Sequence, residues 1–417
     1  MNPLRDKIEA EIRERGPIPF SRYMETCLYD PEYGYYSRNA EQFGKAGDFY
    51  TSSDVHAVFG RLMARQFEEM WRLVGSPETI VVRELGPGRG LFAQDVLDWA
   101  EKKFPEFFRA LRYVLVERSP ALRGKIAEGL EQRIASGKAL VERLVGEASG
   151  AKARRDESAV TAPLKRCATP NQSHSASSDD VPSPGLPEAS ENVSFPTILF
   201  ANEFFDALPV EIVSTKGSLR VACRNGRFVE VWVPASAEEL EYLDRYGVHP
   251  EAGERVEVPL ESQPLMQAAI AGVERGFAVV VDYGHTREEQ LAGRHRGTLK
   301  AIRQHAVSAS PYEAPGEQDI TADVNFTALA AVAEQCGMTA QRLVTQSQFL
   351  MGIGEGNQFA DAFEDCRLPQ ERTKVALQLK HLVTPAGMGE SFHVMVGSKG
   401  VEKEKVERLA GLSFGRR

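Results

Sequence analysis

Long apolar runs, paired cysteines and an excess of basic charge are all missing from this 417-residue chain, and each absence removes a class of function. No window approaches the roughly 18 consecutive apolar residues that a membrane-spanning helix needs. The opening stretch MNPLRDKIEAEIRERG has neither the apolar centre of a secretory signal nor the Ser-rich, acid-poor character of a transit peptide, so the expected compartment is the cytoplasm. Cys27, Cys167, Cys223, Cys336 and Cys366 form no CxxC pair, which argues for packing roles in a reducing compartment and against structural zinc. The histidines show no HExxH-like spacing, and no metal is expected. With 50 Lys and Arg against 59 Asp and Glu, the net charge is −9, and the composition carries no basic surface for nucleic acid or an anionic membrane. What is present, 42% hydrophobic residues, suffices for a large core and two to three structural units.

Ile8 and Ile12 mark an N-terminal helix, followed by a Tyr-, Gly- and Asp-rich loop from Tyr29 to Ser53. Ser53 or Asp54 is placed to cap a helix whose apolar positions, Val58, Phe59, Leu62, Met63 and Phe67 among them, recur at helical spacing. The register then changes. TIVVREL (79–85), YVLVE (113–117), ILFAN (198–202) and GFAVVVDYG (276–284) are short apolar runs, with amphipathic helical segments between the first of them. That alternation predicts an α/β fold, a parallel sheet with helices on both faces. Residues 146–194 are dense in Ser, Ala, Pro and charge and read as a flexible insertion. SLRVACRNGRFVEVWV (218–233) reads as a hairpin turning at Asn225-Gly226, with a charged helix over 236–247. The tail resumes with a helix over 325–337, a strand over 339–346, a helix near 369–382 and a last, antiparallel strand over 390–399. The expected division is an N-terminal helical and cofactor-covering segment (1–53), a core (54–215 and 276–398), an inserted substrate-side subdomain (216–275) and a tail (399–417).

The first core strand runs directly into Gly86-Pro87-Gly88-Arg89-Gly90, and LFAQDVLDWAEKKF follows as a helix. Glycines admit a ligand where a Cβ would intrude, and ligands of open parallel sheets bind at this carboxyl edge. A dinucleotide fingerprint has its third glycine at the sixth position, where this chain has Leu91, which disfavours an NAD-type oxidoreductase. Glu117, ending the second strand, is suited to accept two ribose hydroxyls. Glu84, the loop and Glu117 together are similar to the S-adenosyl-L-methionine (SAM) pattern of class I methyltransferases, a cofactor without a pyrophosphate.

Further blocks narrow the resemblance. GPIPFSRYMETCLYDPEYGYYS (16–37), GDFYTSSDVHAVFGRLMA (47–64), ELGPGRGLFAQDVL (84–97), ANEFFDALPVEIV (201–213), VVDYGH (280–285) and PGEQDITADVNF (315–326) resemble the MidA-like family, the mitochondrial complex I assembly methyltransferases and their bacterial relatives, described as protein-arginine methyltransferases. The resemblance implies a seven-stranded, mostly parallel, doubly wound sheet with N-terminal helices and an inserted subdomain. It also implies SAM as cofactor and a protein substrate, with a respiratory-complex subunit among the expected partners. The chain departs from the family's pattern at Ser53-Asp54-Val55-His56 and at Ala301-Ile302-Arg303-Gln304-His305.

Methyl transfer from a sulfonium requires alignment and a water-poor site rather than acid–base apparatus. For an arginine acceptor, carboxylates that grip the planar guanidinium fix one nitrogen toward the methyl group. Glu203 and Asp206, just beyond ILFAN, are the candidates for that grip, with Asn202 beside them; a helical turn beginning there would put both carboxylates on one side. Cofactor contacts are expected from Glu84, Gly86, Gly88, Gly90, Glu117 and Asn202. Thr51 and Ser52 join them, because a helix start nearby suits the carboxylate of the methionine part. Tyr35, Asp282, Tyr283 and Asp319 are expected on the substrate side. A SAM-binding assembly factor without turnover and a small-molecule methyltransferase remain open on the same residues.

Overall fold

Strands buried on both faces have to be apolar throughout, and the four apolar runs pair side by side in parallel. In the computed structural model, which describes residues 2–37, 57–144, 194–303, 306–308 and 310–415, Ile80–Leu85 lies between Leu111–Glu117 and Thr197–Asn202. Ala139–Arg143 extends the sheet beyond Leu111–Glu117, and Gly276–His285 extends it beyond Thr197–Asn202, again in parallel. Phe392–Lys399 closes it antiparallel to Gly276–His285. Thr51, Ser52, the cap expected at 53–54 and all but the last residue of the insertion expected over 146–194 lie outside the described residues.

The strand expected over 339–346 is broken. Thr339–Ala340 and Val344–Thr345 both pair with Phe392–Lys399, and between them Arg342 turns away to donate to the carbonyls of Leu412 and Phe414 at 3.3 and 3.4 Å. Val324–Asn325 adds a short piece beside the end of Gly276–His285, so among the described residues seven sheet positions hold nine strands.

From Ile80–Leu85 the chain winds outward through Leu111–Glu117 to Ala139–Arg143, then returns to Thr197–Asn202 on the opposite side. The order therefore reverses between Ile80–Leu85 and Thr197–Asn202, and the carboxyl ends of those two strands flank the crevice where open α/β sheets bind ligands. Helices Ala57–Leu73 and Leu91–Lys103 cover one sheet face, where Phe200 stacks on Phe92 at 4.6 Å and meets Phe67 edge-on at 5.5 Å. Ser262–Ala271 and Phe326–Gln335 cover the other. Phe200 is fully buried at the centre of this packing, and Phe200→Ala is expected to cost about 3–5 kcal/mol in urea-induced unfolding.

A second sheet gathers Glu211–Ser214, Gly217–Arg224, Arg227–Val233 and Val256–Val258, and takes Ile18–Pro19 from the N-terminal segment. Its hairpin turns at Asn225 (φ +49°) and Gly226 (φ +68°) between the paired Arg224 and Arg227, the left-handed pair a two-residue type I′ turn requires. Helix Pro3–Arg15 starts where the Asn2 side chain accepts the amides of Leu4 and Arg5 at 3.0 and 3.2 Å. Its buried Leu4, Ile8 and Ile12 share one core with Phe20, Tyr23, Val221 and Ile320, so the N-terminal helices pack on the inserted sheet. Three contacts fasten this unit to the core beside the crevice. Tyr29 donates to the Ala207 carbonyl at 2.9 Å, Arg118 pairs with Glu25 at 2.8 Å, and the Ala322 amide donates to the Asp206 carbonyl at 3.0 Å.

Candidate functional site

The glycine loop needs its glycines for three different reasons. Gly86, Gly88 and Gly90 all have left-handed φ, +63°, +57° and +77°. A Cβ on Gly86 would lie 2.5 Å from Cδ2 of Phe204, and one on Gly90 would touch Ile126 at 3.4 Å. A Cβ on Gly88 would meet nothing within 4 Å among the described residues. The backbone at Gly88 thus borders space that the described residues leave open, as a cradle for a ligand requires.

Glu117 closes one side of this space. Its carboxylate accepts the Ser119 amide at 2.8 Å and faces the Gly88 amide, which ties the second strand to the loop. Burial pushes this carboxyl up to about 7, while the Ser119 and Gly88 amides favour its charged form. Glu84 lies beneath, buried, accepting the Tyr113 hydroxyl at 2.9 Å; burial pushes it up to about 8 against that hydrogen bond. Across the crevice, Asn202 donates from Nδ2 to Oε1 of Glu203 at 3.1 Å. Its Oδ1 is buried with no partner among the described residues. Open space beside Gly88, a carboxylate beyond it and an unanswered acceptor opposite match the polar groups of an adenosyl amino acid.

The turn after Thr197–Asn202 differs from the expected helical one. Glu203 has φ +50°, and the amides of Phe204, Phe205 and Asp206 all point to Oδ2 of Asp282 at 3.2, 3.0 and 3.4 Å. The helical i to i+3 spacing therefore does not apply: Glu203 turns to Asn202, while Asp206 turns to Tyr283, whose hydroxyl donates to its Oδ2. Asp206 is 4% exposed and forms no ion pair among the described residues; beside the Tyr283 hydroxyl its carboxylate has only the amides of Asp206 and Ala207 turned toward it, and Oδ1 makes no well-formed hydrogen bond there. Burial raises its carboxyl to about 6.

Asp282, expected to meet substrate, is 0% exposed and committed to backbone amides, including that of Tyr283 at 3.0 Å, so it is not free to do so. Burial and the neighbouring Asp206 and Glu203 push its carboxyl well above the usual range. Asp319 is buried and accepts the Tyr36 hydroxyl at 2.9 Å. Of the tyrosine run it is thus Tyr36 that reaches this acid, whereas Tyr35, 2% exposed, belongs to the N-terminal core. Tyr29 and Phe204 are also here, against Ala207 and Gly86, and sequence reasoning missed both; the aromatic density of 29–36 and 204–205 was the available signal. Lys300 stands over the Tyr283 ring at 5.2 Å. Among the described residues no group of three or more His, Cys, Asp or Glu is arranged to hold a metal, and no helix is long and apolar enough to cross a membrane.

Residues 62–344 match the family model described as S-adenosyl-L-methionine-dependent methyltransferase. The chain is 29% identical over 444 aligned positions to the mitochondrial protein arginine methyltransferase NDUFAF7 homologue of Drosophila melanogaster, covering 99% of this chain and 88% of that protein. It is 26% identical to the mitochondrial protein arginine methyltransferase NDUFAF7 of Homo sapiens, covering 94% and 82%. A crystal structure of a Burkholderia thailandensis protein bound to S-adenosyl-homocysteine superposes with a TM-score of 0.73 at 26% identity, covering 97% of this chain and 95% of that one. The mitochondrial labels of the curated relatives overturn the cytoplasmic expectation. The expectation rested on patterns that the opening stretch lacks, and an absent pattern does not assign a compartment.

Proposed function

The chain belongs to the MidA-like family of S-adenosyl-L-methionine-dependent methyltransferases, and we propose that within this chemistry it delivers the methyl group to an arginine guanidinium nitrogen of a protein. One observation carries the acceptor: Asp206 is a buried carboxylate that forms no ion pair among the described residues and is met there by the Tyr283 hydroxyl and backbone amides alone. Such a group is costly unless something charged completes it, and a guanidinium offers planar paired donors. Asp319, approached from the N-terminal side by Tyr36, supplies a second acid within the same buried tyrosine cluster. The names of the relatives agree with this reading.

SAM supplies an already activated methyl electrophile when bound. In this reading the backbone at Gly88 and the Glu117 carboxylate hold the adenosyl part, Glu84 supports the loop from beneath, and Asn202 lends its open acceptor. Thr51 and Ser52 are proposed for the methionine end. Asp206 orients the acceptor, Tyr283 holds Asp206, and Glu203 lines the approach. The N-terminal helices and the inserted sheet, joined in one core, exclude water from above. The proton released as the guanidinium nitrogen is methylated has Asp206 as its nearest assigned acceptor.

Glu117 gives a pH signature. Its folded value of about 7 lies above the usual carboxylate range, so the group favours the unliganded fold below that range and this contribution is lost as pH rises through about 7. Ribose hydroxyls donate to the charged form, so SAM affinity is expected to fall as pH drops below about 7, by up to about tenfold per unit. Calorimetric titration from pH 5.5 to 8.5, conditions chosen to bracket about 7, should show this slope, and Glu117→Gln should flatten it.

The acceptor itself is tested by mass spectrometry of methylarginine in cells with and without the gene. Loss of defined methylarginine sites is expected; an unchanged arginine methylome would count against the assignment.

A further inference from the structure

We propose that Asp282 is a positioning residue that sets the conformation of the Glu203–Asp206 turn and thereby the alignment of the methyl acceptor. The proposal rests on Asp206 facing that acceptor. Gly276–His285 is buried at every position, and a carboxyl group in its midst requires compensation. Asp282 finds it in the backbone of the neighbouring strand's exit. The Glu203 amide still bonds to the Val281 carbonyl at 2.9 Å, as the last rung of the ladder. The next three amides leave the ladder and converge on one side-chain oxygen, forming a nest around Oδ2.

Three consequences follow from that capture. Glu203 takes a left-handed φ of +50°, rare for a residue with a side chain and most often retained where surrounding contacts impose it. Phe204 is set against Gly86, coupling the turn to the glycine loop. Asp206 is directed at the Tyr283 hydroxyl while its own carbonyl receives the Ala322 amide at 3.0 Å. One buried oxygen therefore fixes Asp206, the Phe204 ring beside the glycine loop and the carbonyl that receives Ala322. An apolar residue at 282 would remove the carboxylate partner of four amides, those of Phe204, Phe205, Asp206 and Tyr283, whereas asparagine would keep one accepting oxygen for the three of the turn.

The test compares Asp282→Ala, Asp282→Asn and Val280→Ala in the full chain. Val280→Ala lies on the same strand and serves as a destabilised reference that leaves the turn's partners in place. For Asp282→Ala, hydrogen exchange over 203–208 is expected to accelerate at least about tenfold while that of Ile80–Leu85 stays unchanged. Its kcat should fall about 100-fold, the cost of misaligning a reacting pair by roughly an ångström, while SAM affinity, which senses the turn only through Phe204 against Gly86, should fall less, by no more than about tenfold. Asp282→Asn should recover most of both losses, and Val280→Ala should keep its kcat. Uniformly raised exchange, or activity lost in the same proportion to stability in Asp282→Ala and Val280→Ala, would overturn the positioning role. The rate is read on whichever acceptor takes label from SAM, so failure of the arginine assignment and failure of this proposal appear as separate results.

Discussion

Gly88→Val is expected to weaken SAM binding by at least about 100-fold, equivalent to about 2.7 kcal/mol, while the apoprotein stays folded. The separation of these effects comes from what surrounds the position. No described residue lies within 4 Å of a Cβ at Gly88, so valine is expected to collide with the ligand rather than with the packed core. The left-handed φ of +57° adds a penalty of about 1–2 kcal/mol, which lowers Tm modestly. Gly86→Ala should behave in the opposite way, because its Cβ would enter the Phe204 ring at 2.5 Å and disturb the turn before any ligand arrives. Titration calorimetry on both variants, with thermal unfolding of the apo forms, distinguishes them. Unchanged SAM affinity in Gly88→Val would mean that the cradle is elsewhere.

Asp206→Ala is expected to reduce kcat/KM by about 100- to 1,000-fold with SAM affinity preserved, the range for removing one member of a buried charge pair. The same residue should show an opposite effect on stability. Its carboxyl is raised to about 6 by burial, so the protonated form is favoured in the fold, and stability is lost as pH rises from the ordinary carboxylate range through about 6. Asp206→Asn keeps an acceptor for the Tyr283 hydroxyl and removes the charge. It should therefore be more stable than wild type at pH 8 and show little advantage at pH 4.5, values chosen on either side of about 6. Urea unfolding at the two pH values reads this directly. A site that gains stability on losing a charge while losing turnover retains that charge for function.

Much of this arrangement is legible in the sequence where the determining interactions are local. The parallel strands follow from apolar runs long enough to be buried on both faces, and Asn225-Gly226 names its own turn because few other pairs adopt two consecutive left-handed residues. The glycine loop is legible for the same reason. Non-local pairings are not. Nothing near Ile18 announces that it will pair with Val221, and the joining of the N-terminal helices to the inserted sheet depends on that pairing. Glu203 and Asp206 stand at a spacing that suits a helix, yet Asp282, from a different strand, claims the intervening amides and dictates another turn. The tyrosines of 29–36 share one composition, and only the folded positions distinguish Tyr36, which reaches Asp319, from Tyr35, which packs in the N-terminal core. The break at 341–343 depends on where Arg342 finds carbonyls contributed by the chain's last turn.

In the proposed reaction the backbone at Gly88 cradles the methyl donor and Asp206 completes the cation that receives the methyl group. The most direct test of that reaction is to incubate the purified full chain with methyl-labelled SAM and a protein extract of its source cells, hydrolyse the products and locate the label. Label is expected on arginine side-chain nitrogen and is expected to be absent with Asp206→Ala and with Gly88→Val. Label confined to small molecules or RNA, or protein label on arginine that is undiminished in Asp206→Ala, would contradict it.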